Sequence, residues 1–193
     1  MFKLKHIFLA ILVIACAVKL ILVMFPPRIK LTANTSAMTE EDIAVENFSG
    51  FSYSYGNAMH VYWKLRVSAN GEVIYYHLNH RIQPGKYSRA EFKLSKKELS
   101  ALLAKLRGEN FVQLYDYYDY GYFDVDNIHI SLKCNGMIKS TGCNNYDDVP
   151  PPPIESISSF IHTHILAPHD REINNATPIT LEEIIELDSI RLD

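Results

Sequence analysis

The chain predicts an α+β fold: an antiparallel sheet of two Asn-Gly hairpins plus flanking strands, two amphipathic helices on one face, and an N-terminal membrane-spanning helix ahead of the domain. Three observations predict it. Two β-rich runs each turn on an Asn-Gly pair, at Asn70-Gly71 and Asn135-Gly136, the dipeptide that accepts the positive φ of a tight hairpin. Two later runs repeat leucine or isoleucine at helical spacing. The stretch Ile7 to Phe25 is an apolar run of 19 residues with one charge, Lys19.

At about 1.5 Å per residue that run reaches roughly 28 Å, close to the hydrocarbon thickness of a bilayer. Lys19 lies six residues from its end, so its ammonium can reach the nearer interface. A rival reading starts from "VIAC", Val13 to Cys16, which resembles a bacterial lipobox, with Lys3 and Lys5 before it as the charged region. There Cys16 would be lipidated and become the new N-terminus, and ordinary cleavage is a third outcome. The apolar run continues past Cys16, where lipoproteins turn polar, and this favours an uncleaved signal-anchor. All three outcomes place the domain outside the cytoplasm. The organisation expected is a signal-anchor or lipoprotein-type signal over 1–27, a tether over 28–46, the α+β domain over 47–167, and an acidic tail with a short helix over 168–193.

Structure is expected to begin near Asn47. "FSYSY" puts Phe51, Tyr53 and Tyr55 on one side of a strand and serines on the other. In "VYWKLRVSANGEVIYYHLN" a two-residue turn would pair Val67 with Ile74, Leu65 with Tyr76 and Trp63 with Leu78 on the core face. Tyr62, Lys64, Arg66, Tyr75 and His77 would then face outward. "KYSRAEFKL" reads as a further strand. "SKKELSALLAKLRG" follows as a helix, with a capping box between Ser95 and Glu98 and Leu99, Leu102, Leu103 and Leu106 on its inner face. The second hairpin, "NIHISLKCNGMIKSTGC", turns Ile128, Ile130, Leu132 and Cys134 inward. After the prolines at 150–153, Ile154, Ile157, Ile161 and Ile165 form the stripe of a second helix. Thr180 and Glu183 make another capping box in "TLEEIIELDSI".

A first strand ending at Gly56, the "YWKLRVSANGEVIYY" hairpin, the "SKKEL" helix start and a second strand-Asn-Gly-strand before prolines together resemble small bacterial envelope domains of unknown function. The resemblance covers about Asn47 to Leu166. It implies an α+β fold in a bacterial envelope and no activity. The chain departs from that pattern at Ala58 and Met59, where cysteines are common.

Net charge is -3, but it is unevenly distributed. Lys64 to Arg107 carries ten Lys/Arg against three Asp/Glu, whereas Glu109 to Asp193 carries four against fifteen. Such asymmetry bears on partners and solubility more than on fold. No phosphate-binding glycine loop, nucleophile elbow or paired C-x-x-C occurs. "DVDN", Asp124 to Asn127, fails as a calcium loop because Ile128 and His129 stand where an oxygen ligand and glycine are needed. His77 and His80 fall on opposite sides of a strand, and His162 and His164 diverge on a helix, so no metal or other cofactor is expected. Cys134 and Cys143 could bridge, but the Asn-Gly register holds them roughly 20 Å apart along the strands.

Two stretches suit binding. Tyr62, Lys64, Arg66 and Tyr75 interleave cations with aromatics, and Arg81, Lys86 and Arg89 lie close by in sequence. "YDYYDYGYFDVD", Tyr115 to Asp126, packs five Tyr and four Asp into twelve residues, with Tyr115, Tyr117, Tyr118 and Asp119 as its candidate contacts. The expected function is a membrane-anchored, extracytoplasmic binding or accessory domain with a protein, glycan or lipid-headgroup partner and no nucleic acid. The alternatives are an immunity or inhibitor protein using its acidic half, and a small metal-dependent hydrolase built on His162, His164 and Asp170. Mass spectrometry of the mature protein should recover an N-terminus ahead of Ile7; a diacylglyceryl Cys16 as first residue would establish the lipoprotein instead.

Overall fold

The computed structural model describes residues 29–57, 61–78, 87–121, 125–144, 151–180 and 182–184. The expected membrane span, 7–25 with Cys16, lies outside the described residues, as do His80, Arg81 and Lys86. Among the described residues no helix is long and apolar enough to cross a membrane.

In chain order the strands are β1 (Lys30–Thr32), β2 (Phe48–Gly56), β3 (Val61–Ser68), β4 (Glu72–Leu78), β5 (Tyr87–Lys93), β6 (Tyr117–Asp119), β7 (Asn127–Cys134), β8 (Met137–Asn144) and β9 (Thr177–Ile179). Helix α1 (Lys96–Gly108) follows β5. Helix α2 (Pro152–Phe160) follows β8, runs on as a π-helical stretch over Ile161–Leu166, and leads to the short α3 (Asp170–Asn174). The nine strands among the described residues form one sheet, ordered β1-β6-β8-β7-β2-β3-β4-β5-β9. Every pairing is antiparallel except a single parallel bridge, Tyr118 to Cys143.

Phe51, Tyr53 and Tyr55 of β2 are buried on one side of the sheet, and Ser52 and Ser54 lie on the other. The buried side is where both long helices pack. Leu99, Leu102, Leu103 and Leu106 of α1 and Ile154, Ile157, Ile161 and Ile165 of the second helix join Phe51, Leu65, Val67, Ile128, Ile130 and Leu132 in one core. Burying side chains of this size contributes roughly 1.5–3 kcal/mol each before the entropy of ordering them is offset. The Ser95 cap forms as the sequence requires. Its amide donates to Glu98 Oε2 at 2.7 Å, and the Glu98 amide returns a bond to Ser95 Oγ at 3.2 Å. Past α1, Asn110 adopts a left-handed φ of 51° and turns the chain.

The two Asn-Gly hairpins differ. At Asn135-Gly136 both residues have positive φ, 50° and 74°, and Cys134 faces Met137 while Ile128 faces Cys143. That is the expected two-residue register, and both cysteines are free and buried. Burial pushes the Cys134 thiol up to about 11 and the Cys143 thiol up to about 12. At Asn70-Gly71 only Gly71 has positive φ, 81°. The Gly71 amide bonds Ser68 O at 2.9 Å, and Asn70 spends its side chain locally, accepting from the Ser68 hydroxyl at 2.5 Å and the Glu72 amide at 3.2 Å. The turn therefore holds one residue more than expected. Leu65 pairs with Tyr75 and Val67 with Val73, which corrects the expected register by one and exchanges the faces of β4. Tyr75 and Val73 enter the core, whereas Tyr76 turns to the opposite side. The slip is held by Leu94, whose amide donates to Gly71 O at 2.9 Å.

Two segments expected at the margins belong to the folded body. The stretch read as a tether over 28–46 supplies β1, and it buries Met38 and Ile43 in the core. It is tied down by Lys139, a fully buried residue of β8. The Lys139 ammonium donates to Asn34 Oδ1 at 2.9 Å, Leu114 O at 2.7 Å and Asp116 Oδ1 at 2.7 Å. Thr35 bonds the other Asp116 oxygen through its amide and hydroxyl, at 3.0 and 2.6 Å. Likewise the segment expected as an acidic tail forms α3 and β9, which pairs with β5. Its Thr180–Glu183 capping box is made.

Burial pushes the Asp116 carboxyl up, but hydrogen bonds from Lys139 and Thr35 and the ammonium's charge outweigh it and hold it below its ordinary value. A depressed carboxylate stabilises the fold above its unfolded value, and the gain is lost as pH falls through the folded one. Asp116→Ala, which leaves a buried cation without its counter-charge, should cost about 3 kcal/mol in urea unfolding near neutral pH. Lys139→Met, which removes the charge and keeps the volume, should cost less and flatten the acid limb; equal losses would show that the charge pairing is immaterial.

Candidate functional site

With α1 and α2 on the core side, the other side of the sheet presents rows of polar residues at directly opposed positions. One row reads Gly142, His129, Ser54, Lys64, Tyr76, Arg89 across β8, β7, β2, β3, β4 and β5. The next reads Ser140, Ser131, Ser52, Arg66, Ile74, Glu91. Neighbours in a row are about 4.8 Å apart, and the rows are separated by about 6.8 Å. Lys133 stands in the row beyond, opposite Gly50 and Ile138. The face therefore carries serines at its centre, bonded to one another at Ser131 and Ser140 (2.7 Å), flanked by Lys64, Arg66 and Lys133. Gly142 lets the Tyr117 ring lie over this face, since a Cβ there would sit 3.2 Å from that ring and 2.8 Å from Ile128 O.

The β5 side of this face is partly roofed. Tyr76 and Tyr87 form a small cluster with Ile184, bordered by Ile74, Leu78 and Ile179. Arg89 bonds Glu91 within its own strand. Arg89, Arg171, Asn175 and Glu183 also line an open cavity of about 660 Å³ between β5, β9 and α3.

Of the residues singled out from sequence, Lys64 and Arg66 do face outward side by side. Tyr75 does not, because the slipped register sends it into the core, where burial and the neighbouring Tyr53 raise its phenol pKa. Tyr62 sits beside the bulge at Tyr55 and Gly56. It packs on Tyr55 with ring centroids 5.5 Å apart and accepts from Asn57 at 2.8 Å, which places it at the end of the sheet. Within the tyrosine-rich stretch, Tyr117–Asp119 form β6, the second strand from one end of the sheet. Tyr117 and Tyr118 lie in β6 between β1 and β8, and Tyr117 donates to Asn127 at 2.9 Å. Asp119 accepts from the Gly121 amide and from Asn144, both at 2.8 Å. Tyr115 alone of the four is exposed, at 42%, with its ring edge-on to Tyr118.

The described histidines of the second helix and the turn after it point to separate partners. His162 turns to Tyr53 and Trp63, His164 stacks on Phe160, and His169 stacks on Phe92 while bonding Glu98 at 3.2 Å. Among the described residues no three His, Cys, Asp or Glu side chains are placed to hold a metal.

Sequence reasoning missed a polar cluster at the junction of β2 and the second helix. The Tyr53 hydroxyl lies 2.7 Å from Ser158 Oγ and 3.2 Å from His162 Nε2. Trp63 meets the His162 ring edge-on at 5.2 Å and stacks on Tyr55 at 4.4 Å, and Tyr55 donates to Asp126 at 2.7 Å. Opposite Trp63 stands His77, and the indole Nε1 and imidazole Nδ1 are both buried without a hydrogen-bond partner. The signal was present in the spacing: Ser158 and His162 are four apart and so share a helix face.

Compared with known proteins, the chain matches no protein-family model and no curated protein. The fold itself defines a mixed α+β domain built on one large sheet.

Burial holds the His162 imidazole below its ordinary value. A histidine kept neutral in the fold contributes stability that is complete above its unfolded pKa and is lost as pH falls through the folded one. Unfolding measured from pH 7.5 down to 5 should therefore show a decline below about 6.5 that is shallower in His162→Gln. Tyr53→Phe should cost about 1–2 kcal/mol at neutral pH by leaving Ser158 and His162 without their shared partner; a neutral effect would mean water replaces the hydroxyl.

Proposed function

We propose that this protein is a membrane-anchored, extracytoplasmic binding domain of a bacterial envelope, and that it engages an anionic partner through the open face of its sheet. The observation that carries this reading is the placement of Lys64, Arg66 and Lys133 around a field of small hydroxyls on the side opposite the helices. Serines at Ser52, Ser54, Ser131 and Ser140 donate hydrogen bonds without bulk, so an extended chain of sulfates, phosphates or carboxylates can approach the cations closely. The apolar run over 7–25 supports the anchored part of the reading. The partner class is an acidic glycan, a lipid headgroup or an acidic protein surface.

Detergent-solubilised full-length protein should bind fluorescent dextran sulfate, and Lys64→Glu with Arg66→Glu should abolish most of that binding. Raising salt from about 0.05 to about 0.5 M should mimic the loss because exposed charge pairs are screened beyond about 8 Å at physiological ionic strength. Binding retained in the double variant and lost in Tyr115→Ala would move the site to the exposed tyrosine at the sheet edge.

A further inference from the structure

At the β1 edge of the sheet, large apolar side chains meet water. Ile29 and Leu31 are each 46% exposed and Tyr115 is 42% exposed, and the three belong to one patch. Leu31 stands opposite Tyr118 across the β1–β6 ladder, and Tyr118 opposite Cys143, so Leu31 and Tyr118 point to the side on which Cys143 is buried. The Tyr115 ring is edge-on to Tyr118 at 5.7 Å, and its amide donates to the Tyr118 hydroxyl at 3.4 Å. Ile29, two residues before Leu31, falls on the same side of the extended chain. Apolar residues exposed singly need no explanation, whereas a contiguous group at one edge marks an interaction surface.

What meets this surface follows from covalent reach. The apolar run over 7–25 ends four residues before Ile29. A residue advances at most about 3.6 Å, so Ile29 lies within about 14 Å of the end of that run, and Leu31 within about 22 Å. With the run in a bilayer, β1 is held at the membrane surface. Its chemistry suits that level: tyrosine and aliphatic side chains fill the boundary between headgroups and acyl chains, and Lys30, exposed on the other side of β1, reaches lipid phosphates. The nearest carboxylates are already engaged, Asp116 by Lys139 and Thr35 and Asp119 by Gly121 and Asn144. Among the described residues no strand pairs with the outer edge of β1, and such open backbone groups are tolerated among hydrated headgroups but not in hydrocarbon. The contact is therefore shallow.

We propose that Ile29, Leu31 and Tyr115 form a seat on the boundary between headgroups and acyl chains of the bilayer that holds the anchor, so that the domain stands on its β1 edge. This rests on the membrane-anchored reading and adds an orientation to it. Strand β3 is the fifth strand inward from β1. Five spacings of about 4.8 Å put Lys64 and Arg66 about 24 Å from the seated edge along the sheet, well beyond the screening length of about 8 Å. The open face then addresses a partner away from the anchor's own headgroups.

The test uses the full-length protein in phosphatidylcholine nanodiscs, carrying Cys16→Ser and an environment-sensitive fluorophore on one introduced thiol, since Cys134 and Cys143 are buried. Labels at Leu31→Cys and, separately, at Tyr115→Cys should lose about half their emission to lipid spin-labelled near the headgroup, as groups seated about 5–10 Å into the boundary do. A label at Lys93→Cys, exposed on β5 seven strands from β1, stands about 34 Å away and should lose less than about a tenth. Protein that enters the nanodiscs but is quenched no more at Leu31→Cys and Tyr115→Cys than at Lys93→Cys overturns the seat and keeps the anchor. Equally strong quenching at all three positions overturns the edge-on orientation, because the domain then lies flat. Labels shielded from water but untouched by spin-labelled lipid, in protein that cross-links to a dimer, also overturn it and make the edge an interface between copies of the chain. Failure of the full-length protein to enter nanodiscs removes the membrane-anchored reading, and the seat with it.

Discussion

Strand β2 lies in the middle of the sheet with Phe51, Tyr53 and Tyr55 on one side and Ser52 and Ser54 on the other, and the rest of the molecule is arranged around that alternation. A strand has only two sides, so the aromatic side must be covered and the serine side can remain in contact with water. Both long helices pack on the aromatic side. The serine side becomes a flat polar field. Because β7 and β3 are hydrogen-bonded to β2 on either flank, their own alternation is set by it, and Ile128, Ile130, Leu65 and Val67 fall inward while His129, Ser131, Lys64 and Arg66 fall outward.

One exception to the apolar rule inside the core holds the N-terminal segment to the sheet. Lys139 occupies an inward position of β8, opposite Leu132, where an aliphatic residue is expected. The side chain is fully buried and its ammonium finds three oxygens, from Asn34, Leu114 and Asp116. A buried ion pair of this kind contributes little net stability compared with an apolar replacement. What it supplies is position: it fixes where the chain arriving from residue 29 must run, and it brings β1 to the outer edge of β6. The expected tether is therefore a strap, and its strand β1 lies beside the tyrosine-bearing β6.

The two ends of the sheet are chemically unlike its centre. At one end, Tyr53, Tyr55, Trp63, His77 and His162 make an aromatic and imidazole cluster, with the π-helical turn after α2 presenting His162 to Tyr53 and Trp63. Such turns alter the register of side chains along a helix and recur at functional positions. Across the centre, cations border a field of hydroxyls. The former arrangement favours rigidity and a neutral imidazole, and the latter is the surface proposed for an extended charged partner.

Residues whose neighbours along the chain settle their state were legible from sequence. The Ser95 and Thr180 capping boxes, the leucine and isoleucine stripes, the alternation of β2 and the two-residue turn at Asn135-Gly136 each depend on contacts within a few residues, and each forms as read. The sequence alone also determined that Lys64 and Arg66 share a face, since period two requires it. Only the tertiary structure decided the first hairpin. Asn70-Gly71 is compatible with a two- or a three-residue turn, and the choice fell to Asn70 bonding Ser68 and Glu72 and to Leu94 closing on Gly71. That single residue of slip carried Tyr75 inward and Tyr76 outward. It likewise decided that Met38, Ile43 and Lys139 are core residues, and that Tyr53, Ser158 and His162 meet, because those contacts join segments up to about a hundred residues apart and no local pattern records them.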